Sequence, residues 1–393
     1  MNKPTINYFL PPRIEFGVGA IQNLAEHVNA FGVKRPLVVT DEGVTNAGIL
    51  SESLEPLTDG SIDYVVFDAI QPNPTDTSAI EGMKVIRAER CDMVIAVGGG
   101  SVMDAAKAIR ILSTHEPPLE PYYVDVGGVE RISEDLPPLI CVPTTAGTGS
   151  EVSQGALITD TSFNTTDRPR KRAIATPHNM ASLALLDPNL TLGMPPALTA
   201  ATGMDAVTHA IEAYVATRYH PIAEGVALQS LKISAANIRR AYQHGDDITA
   251  RGNMLIASTM GAFAFQKGLG AVHSLAHQLS TEDPIPHGVA NALLLPPVME
   301  FNRSHAVDEY ADIAEALGVD TSDITKDQAA TAAIDAIKVL NSAVNMPKGL
   351  GEAGLDPQRI PKLAKDAMLD HCYKSNPRPC TEEDMLNLFN TAL

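Results

Sequence analysis

The sequence predicts two domains in tandem, an α/β amino-terminal domain with a parallel sheet over residues 1–190 and an all-α carboxy-terminal domain over residues 191–393. Three observations predict this division. Short runs rich in Val and Ile alternate with helix-like segments through the first half. Long Ala-, Leu- and Met-rich stretches with a helical period fill the second half. Between them, Gly193, Pro195 and Pro196 punctuate the change of period.

The first strand candidate, 36–39, runs into Asp41, and the second, 64–67, precedes Asn73. The third, 93–97, ends in Gly98, Gly99, Gly100 and Ser101, and the fourth, 139–142, opens into the hydroxyl- and glycine-rich run 143–153. In an open parallel sheet, ligands meet the chain where strands end, so contacts are expected at these four places. The pair in Phe16-Gly17-Val18-Gly19 lacks a third glycine and a buried strand before it, and reads as a turn. The stretch 329–336 reads as an ordinary Ala-rich helix.

Composition narrows the function classes. The 393 residues are 45% hydrophobic, enough for well-filled cores. A net charge of -18, with the only basic run at 168–172, argues against nucleic acid and anionic membranes as partners. The four cysteines, Cys91, Cys141, Cys372 and Cys380, form no CxxC pair and suit reduced thiols in the cytoplasm. Neither a secretion signal nor a membrane-spanning run is read.

The glycine triplet points to a dinucleotide. A strand-to-helix turn needs one glycine at most, whereas three let a phosphate approach backbone N–H groups at the positive end of a helix. Ser101 and Asp104 also read as a helix-capping pair. Asp41, at a strand's carboxyl end, can accept from ribose hydroxyls and would repel a 2′-phosphate, which favours NAD over NADP. A plain helix cap is the competing reading of Asp41.

The second half carries a different chemistry. Asp205 and His209 stand at i and i+4 of one apolar helix, His273 and His277 repeat that spacing on another, and His287 begins the next helical run. Polar groups on buried helix faces need partners, and a shared divalent metal satisfies them together. One carboxylate with imidazoles suits Fe(II), Zn(II), Mn(II), Co(II) or Ni(II), and the absence of Cys argues against a structural zinc knot. Spacing alone offers His277 as a ligand as readily as His287.

These segments resemble the iron-dependent, or group III, alcohol dehydrogenases. The resemblance rests on 98–107, 143–151, 203–214 and 270–287 and covers nearly the whole chain. It implies the dehydroquinate synthase-like architecture, with a dinucleotide-binding α/β domain, a helical domain, and catalysis in the cleft between them. It implies metal ligands at Asp205, His209, His273 and His287, and places His277 near the substrate without ligating. It implies cofactor contacts at Asp41, Asn73, Gly99, Gly100, Ser101, Thr144, Thr145, Thr148, Ser153, Lys171 and Leu190, with Lys171 in a loop of variable length. Where the family often has Ala-Phe-Ser-Asn, this chain has Phe263-Ala264-Phe265-Gln266-Lys267, so pocket shape does not follow from the resemblance.

The expected activity is NAD-linked oxidation of a small primary alcohol or diol, or reduction of the aldehyde, with the metal, Fe(II) or Zn(II), as Lewis acid and His277 relaying the proton. A glycerol, polyol or hydroxy-acid dehydrogenase is the nearest alternative. A maleylacetate reductase, a lyase and a non-catalytic nucleotide- or metal-binding protein lie further off. A homodimer or larger homo-oligomer is the expected assembly.

Overall fold

The computed structural model describes residues 8–162, 169–282 and 285–393. The first half is organised around six parallel strands: β1 (Arg13–Phe16), β2 (Pro36–Val39), β3 (Val65–Phe67), β4 (Met93–Gly98), β5 (Leu139–Pro143) and β8 (Leu183–Leu186). Their order across the sheet is β1-β8-β5-β4-β2-β3. A separate antiparallel pair is formed by β6 (Gly155–Asp160) and β7 (Arg170–Ala175). The helices of this half are α1 (Leu24–Ala30), α2 (Glu42–Asn46), α3 (Ile49–Asp59), α4 (Asp76–Ala88) and α5 (Gly100–Thr114).

Alternation along the strands makes both faces of the sheet apolar. Val94 and Ala96 join Leu37, Val39, Leu139 and Cys141 against Ile109 and Ile86, while Met93, Ile95 and Val97 join Val38, Ile140 and Val142 against Leu24, Leu54 and Leu57. A strand buried on both sides reads as an unbroken apolar run, which is why β2, β4 and β5 stand out in the sequence. From β2 the chain steps outward to β3, then returns to β4 on the other side of β2. The switch point thus lies where β2 and β4 end, and the Thr40 hydroxyl donates to the Val97 carbonyl at 2.8 Å there, tying the two ends together.

The second half is helical: α6 (Pro196–Val215), α7 (Pro221–Gln243), α8 (Ile248–Ala264), α9 (Ala271–Glu282), α10 (His287–Asn302), α11 (Val307–Ala316), α12 (Lys326–Ala343), α13 (Ile360–Ala367) and α14 (Glu382–Ala392). Among the described residues no strand follows β8. The 329–336 stretch lies within α12, as expected. α6 is buried almost all round, between α7, α8 and α10. Gly288 sets how closely α10 approaches it: a Cβ there would stand 2.0 Å from the Ala201 carbonyl oxygen. That close approach carries His287 to the face of α6 that bears Asp205.

Several expectations are corrected. Sequence periodicity missed β1, β6, β7 and β8. Lys171 lies on β7, not in a loop. Within the basic run, Arg172 donates to Asp160 at 2.8 Å and to Asp125 at 2.6 Å, and Arg170 pairs with Asp125, so these guanidiniums are internally neutralised; Arg168 lies outside the described residues. The glycine pair at 17 and 19 does form a turn, although a largely exposed strand, β1, precedes it. No helix among the described residues is long and apolar enough to cross a membrane.

Candidate metal centre and cofactor cleft

Three helices bring four candidate ligands together. Asp205 and His209 project from one face of α6, His273 comes from the first turn of α9, and His287 is the first residue of α10. Nε2 of His209 and of His273 each lie 3.8 Å from Oδ1 of Asp205, and Nε2 of His287 lies 3.6 Å from it. The His209 and His273 rings stack at 4.7 Å. Asp205, His273 and His287 offer ligand atoms close enough together to share a divalent metal, and His209 approaches the same carboxylate oxygen.

Partners behind the cluster hold this geometry. The His273 Nδ1–H donates to Oε2 of Glu212 at 2.5 Å, and Oε1 of the same carboxylate accepts from the Val272 backbone at 2.7 Å. The amide nitrogen of Asn291, one turn along α10 from His287, donates to Oδ1 of Asp205 at 2.6 Å. His277 has its Nδ1 2.8 Å from Oδ2 of Asp370, whose other oxygen accepts from the Cys372 backbone at 2.7 Å. Carboxylates bonded to the far nitrogen of an imidazole fix its tautomer and orient it.

The protonation of the site follows from burial set against these neighbours. Burial opposes ionisation of Asp205, yet the surrounding imidazoles outweigh it and hold the carboxyl well below its usual range. Burial pushes His209 down to about 4 against the pull of Asp205. For His273, burial is overcome by its bonds to Asp205 and Glu212, which raise it to about 9. His287 is driven well below the ordinary value by burial, which favours the neutral form a ligand needs.

The cluster opens into a cavity of about 440 Å³ that also reaches the glycine-rich edge of the sheet. Asn73, Gly100, Ser101, Thr148, Ser153 and Lys171 line it from the α/β half, and His209, His273, His277 and His287 from the helical half. Gly99 caps α5 and Gly100 begins it, so unpaired N–H groups of the helix start face this end. A Cβ on Gly100 would meet the Thr148 side chain at 2.6 Å; the glycine keeps loop and helix in contact. Lys171 is held down to about 8 by burial, against the opposing pull of Asp104, Asp205 and Asp370.

Comparison with known proteins shows the family. The family described as iron-containing alcohol dehydrogenase matches residues 11–188, and that described as Fe-containing alcohol dehydrogenase family, C-terminal, matches 199–393. The chain belongs to the iron-containing alcohol dehydrogenases. It is 39% identical to a 1,3-propanediol dehydrogenase of Citrobacter freundii, with 100% of both chains covered. It is 36% identical to an NAD-dependent methanol dehydrogenase of Bacillus methanolicus, covering 98% of this chain and 100% of that one. The structure of an alcohol dehydrogenase from Oenococcus oeni superposes with a TM-score of 0.94 at 34% identity, covering 99% of this chain and 100% of that one.

In this iron-containing alcohol dehydrogenase the residues singled out from sequence fall into groups. The metal candidates and His277 share the cavity with Asn73, Gly100, Ser101, Thr148, Ser153 and Lys171. Gly99 packs beside Thr145, and Thr144 donates its N–H to the Gly98 carbonyl at 3.0 Å, beneath the cavity wall. Leu190 is buried in the apolar layer under the sheet. The Asp41 carboxylate accepts from the Val44 N–H at 2.9 Å and caps α2. The capping role read for Asp104 is overturned: its carboxylate is buried, and accepts from the Ser150 hydroxyl at 2.7 Å and the Leu157 N–H at 3.0 Å.

Sequence reading missed Glu212, Asn291, Asp370 and Lys107. Glu212 follows His209 by three residues on the same helix, and Asn291 follows His287 by four, so helical spacing held a signal for both. Asp370 reaches His277 across 93 residues of chain, where no local pattern points. Lys107 is fully buried; its ammonium donates to the Ser150, Ser153 and Gly155 carbonyls and the Ser150 hydroxyl at 2.7–2.9 Å, locking the loop that walls the cavity.

Proposed function

We propose that this metal-dependent, NAD-linked dehydrogenase interconverts a small primary alcohol or diol and its aldehyde. Asp205, His209, His273 and His287 hold Fe(II), and the glycine-rich start of α5 with Asn73, Ser101, Thr148, Ser153 and Lys171 receives NAD. The observation that carries this reading is the convergence of three imidazole Nε2 atoms on Oδ1 of Asp205, inside the cavity that reaches Gly100 and Ser101. When bound, the metal polarises the alcohol or carbonyl oxygen and NAD exchanges the hydride.

The chain's own groups supply orientation and proton movement. Glu212 fixes His273 through Nδ1, and Asn291 fixes the Asp205 oxygen that faces all three histidines. With Nδ1–H of His277 donated to Asp370, Nε2 is the basic atom of that ring, and we assign it the proton released from the alcohol. The apolar lining, including Val152, Ala262, Phe265 and Leu269, suits a short carbon chain and excludes water. The free thiols of all four cysteines favour a reducing, cytoplasmic setting. β1, a sheet edge with Phe16 exposed, favours a homo-oligomer.

The test combines metal analysis of the protein as isolated with turnover of short alcohols, diols and aldehydes using NAD(H) and NADP(H). The expected result is bound Fe(II) and NADH formation from a primary alcohol or diol. A metal-loaded sample that turns over none of the panel would overturn the reading.

A further inference from the structure

The segment that precedes β1 crosses to the helical half. The Phe9 N–H donates to Oε1 of Gln266 at 3.2 Å, and the Gln266 amide nitrogen donates in turn to the Phe263 carbonyl at 3.1 Å. Beside it, the Tyr8 ring lies 4.1 Å from that of His220, a buried residue whose Nδ1 accepts from Ala223 at the start of α7. Two consecutive residues are thus anchored, one by backbone and one by ring. Leu10, which follows, is 72% exposed, whereas Phe9 is half-buried and lines the cavity that holds the histidine cluster.

Gln266 lies between α8 and α9, in the segment Phe263–Lys267. Its neighbour Phe265 presents an edge to His209 with ring centroids 5.1 Å apart. Phe9 is therefore one hydrogen bond from the residue next to the aromatic ring that touches a candidate metal ligand. Phe9, Phe265, Gln266 and Leu269 form a mostly apolar wall on the helical side of the cavity.

We propose that Phe9, held in place by Gln266, is a specificity-determining residue that closes the cavity against longer carbon chains. This rests on the dehydrogenase reading. A rigid aromatic wall rejects a chain one or two methylenes too long because the backbone anchor prevents it from yielding, and each misfit methylene in such a pocket is worth about tenfold or more in kcat/KM. Removing the ring makes room; loosening the anchor lets the ring move aside.

The test is the ratio of kcat/KM for 1-hexanol to that for 1-propanol, with NAD and the metal-loaded enzyme, in wild type, Phe9→Ala, Gln266→Leu and Phe9→Trp. Phe9→Ala is expected to raise the ratio by about tenfold or more, Gln266→Leu to raise it less, and Phe9→Trp to lower it. Ratios within about twofold of wild type in both Phe9 variants would overturn the proposal. The chain contains no Trp, so Phe9→Trp also places a single indole at the wall. Its fluorescence is expected to shift on adding 1-propanol or 1-hexanol, and an unmoved spectrum at saturating alcohol overturns the proposal even if Phe9→Ala fails to fold. Wild type inactive on every alcohol would instead sink the dehydrogenase reading, and the fluorescence response would still decide the place of Phe9.

Discussion

At the residue scale the cluster depends on groups that touch no ion. Glu212 and Asn291 orient His273 and Asp205, and partners of this kind are worth about 10- to 100-fold in metal affinity. Glu212→Gln and Asn291→Ala are therefore each expected to release metal to a competing chelator at 10- to 100-fold lower chelator concentration. Retention equal to wild type would show that packing alone sets the geometry. His277 is separable from this set: His277→Ala should keep its metal yet lose about 10²–10⁴ in kcat, with partial rescue by added imidazole. A pure packing role would show no rescue. Paired helical spacings offer Asp205, His209 and His273 as candidate ligands, but the choice of His287 over His277 rests on resemblance. What the sequence could not display is Asp370, brought to His277 only by tertiary structure.

Lys171 gives the same scale a pH dependence. Its ammonium is held down to about 8 by burial, and in the cleft it faces the site assigned to the cofactor. The charged form attracts the cofactor's oxygens, so the interaction is present below about 8 and is lost as the pH rises through that value. NAD affinity, measured by titration between pH 6 and 10, is expected to weaken above about 8 in wild type, and Lys171→Met to bind more weakly at pH 7 with that step removed. A Lys171→Met variant that kept the wild-type pH dependence would place the titrating group elsewhere.

At the scale of elements, α5 links the sheet to the cavity loop. Its buried Lys107 serves four oxygen acceptors between Ser150 and Gly155. Truncation leaves those acceptors without their donor, while Asp104 keeps its bonds from Ser150 and Leu157, and such a loss costs about 1–3 kcal/mol. Lys107→Met is expected to lose that much stability in denaturant titration and to weaken NAD binding, because Ser150 and Ser153 lose their anchor. Unchanged stability would mean that water enters and replaces the ammonium.

The strands show what patterning can and cannot convey. β2, β4 and β5 lie inside the sheet, and their β-branched runs announce them. β8 is equally buried, but Leu183-Ala184-Leu185-Leu186 has no β-branched residue and carries no period-two signal. β1 is a largely exposed edge, and β6 with β7 form a small pair outside the main sheet, so neither has a continuous apolar face to betray it.

At the scale of the whole molecule, the cavity is a joint property of both halves: Asn73, Ser101 and Lys171 come from one, and His209, His273 and His287 from the other. The change from alternating to helical periodicity revealed the two architectures, but not the contacts that build the wall between them, such as Phe9 with Gln266, 257 residues apart. If metal and NAD take different ends of this cavity, as proposed, each should stabilise the folded chain through its own contacts. A ligand present at a hundredfold excess over its Kd adds about 2.7 kcal/mol. Fe(II) or Zn(II), and separately NADH, are each expected to raise the calorimetric unfolding midpoint. Asp205→Ala should abolish the metal-dependent rise while leaving the NADH-dependent one, and Gly100→Val, which drives a side chain into Thr148, should do the reverse. If Asp205→Ala removed both shifts, the two sites would be a single cooperative unit, and the separate assignment of metal to the helices and cofactor to the sheet edge would have to be abandoned.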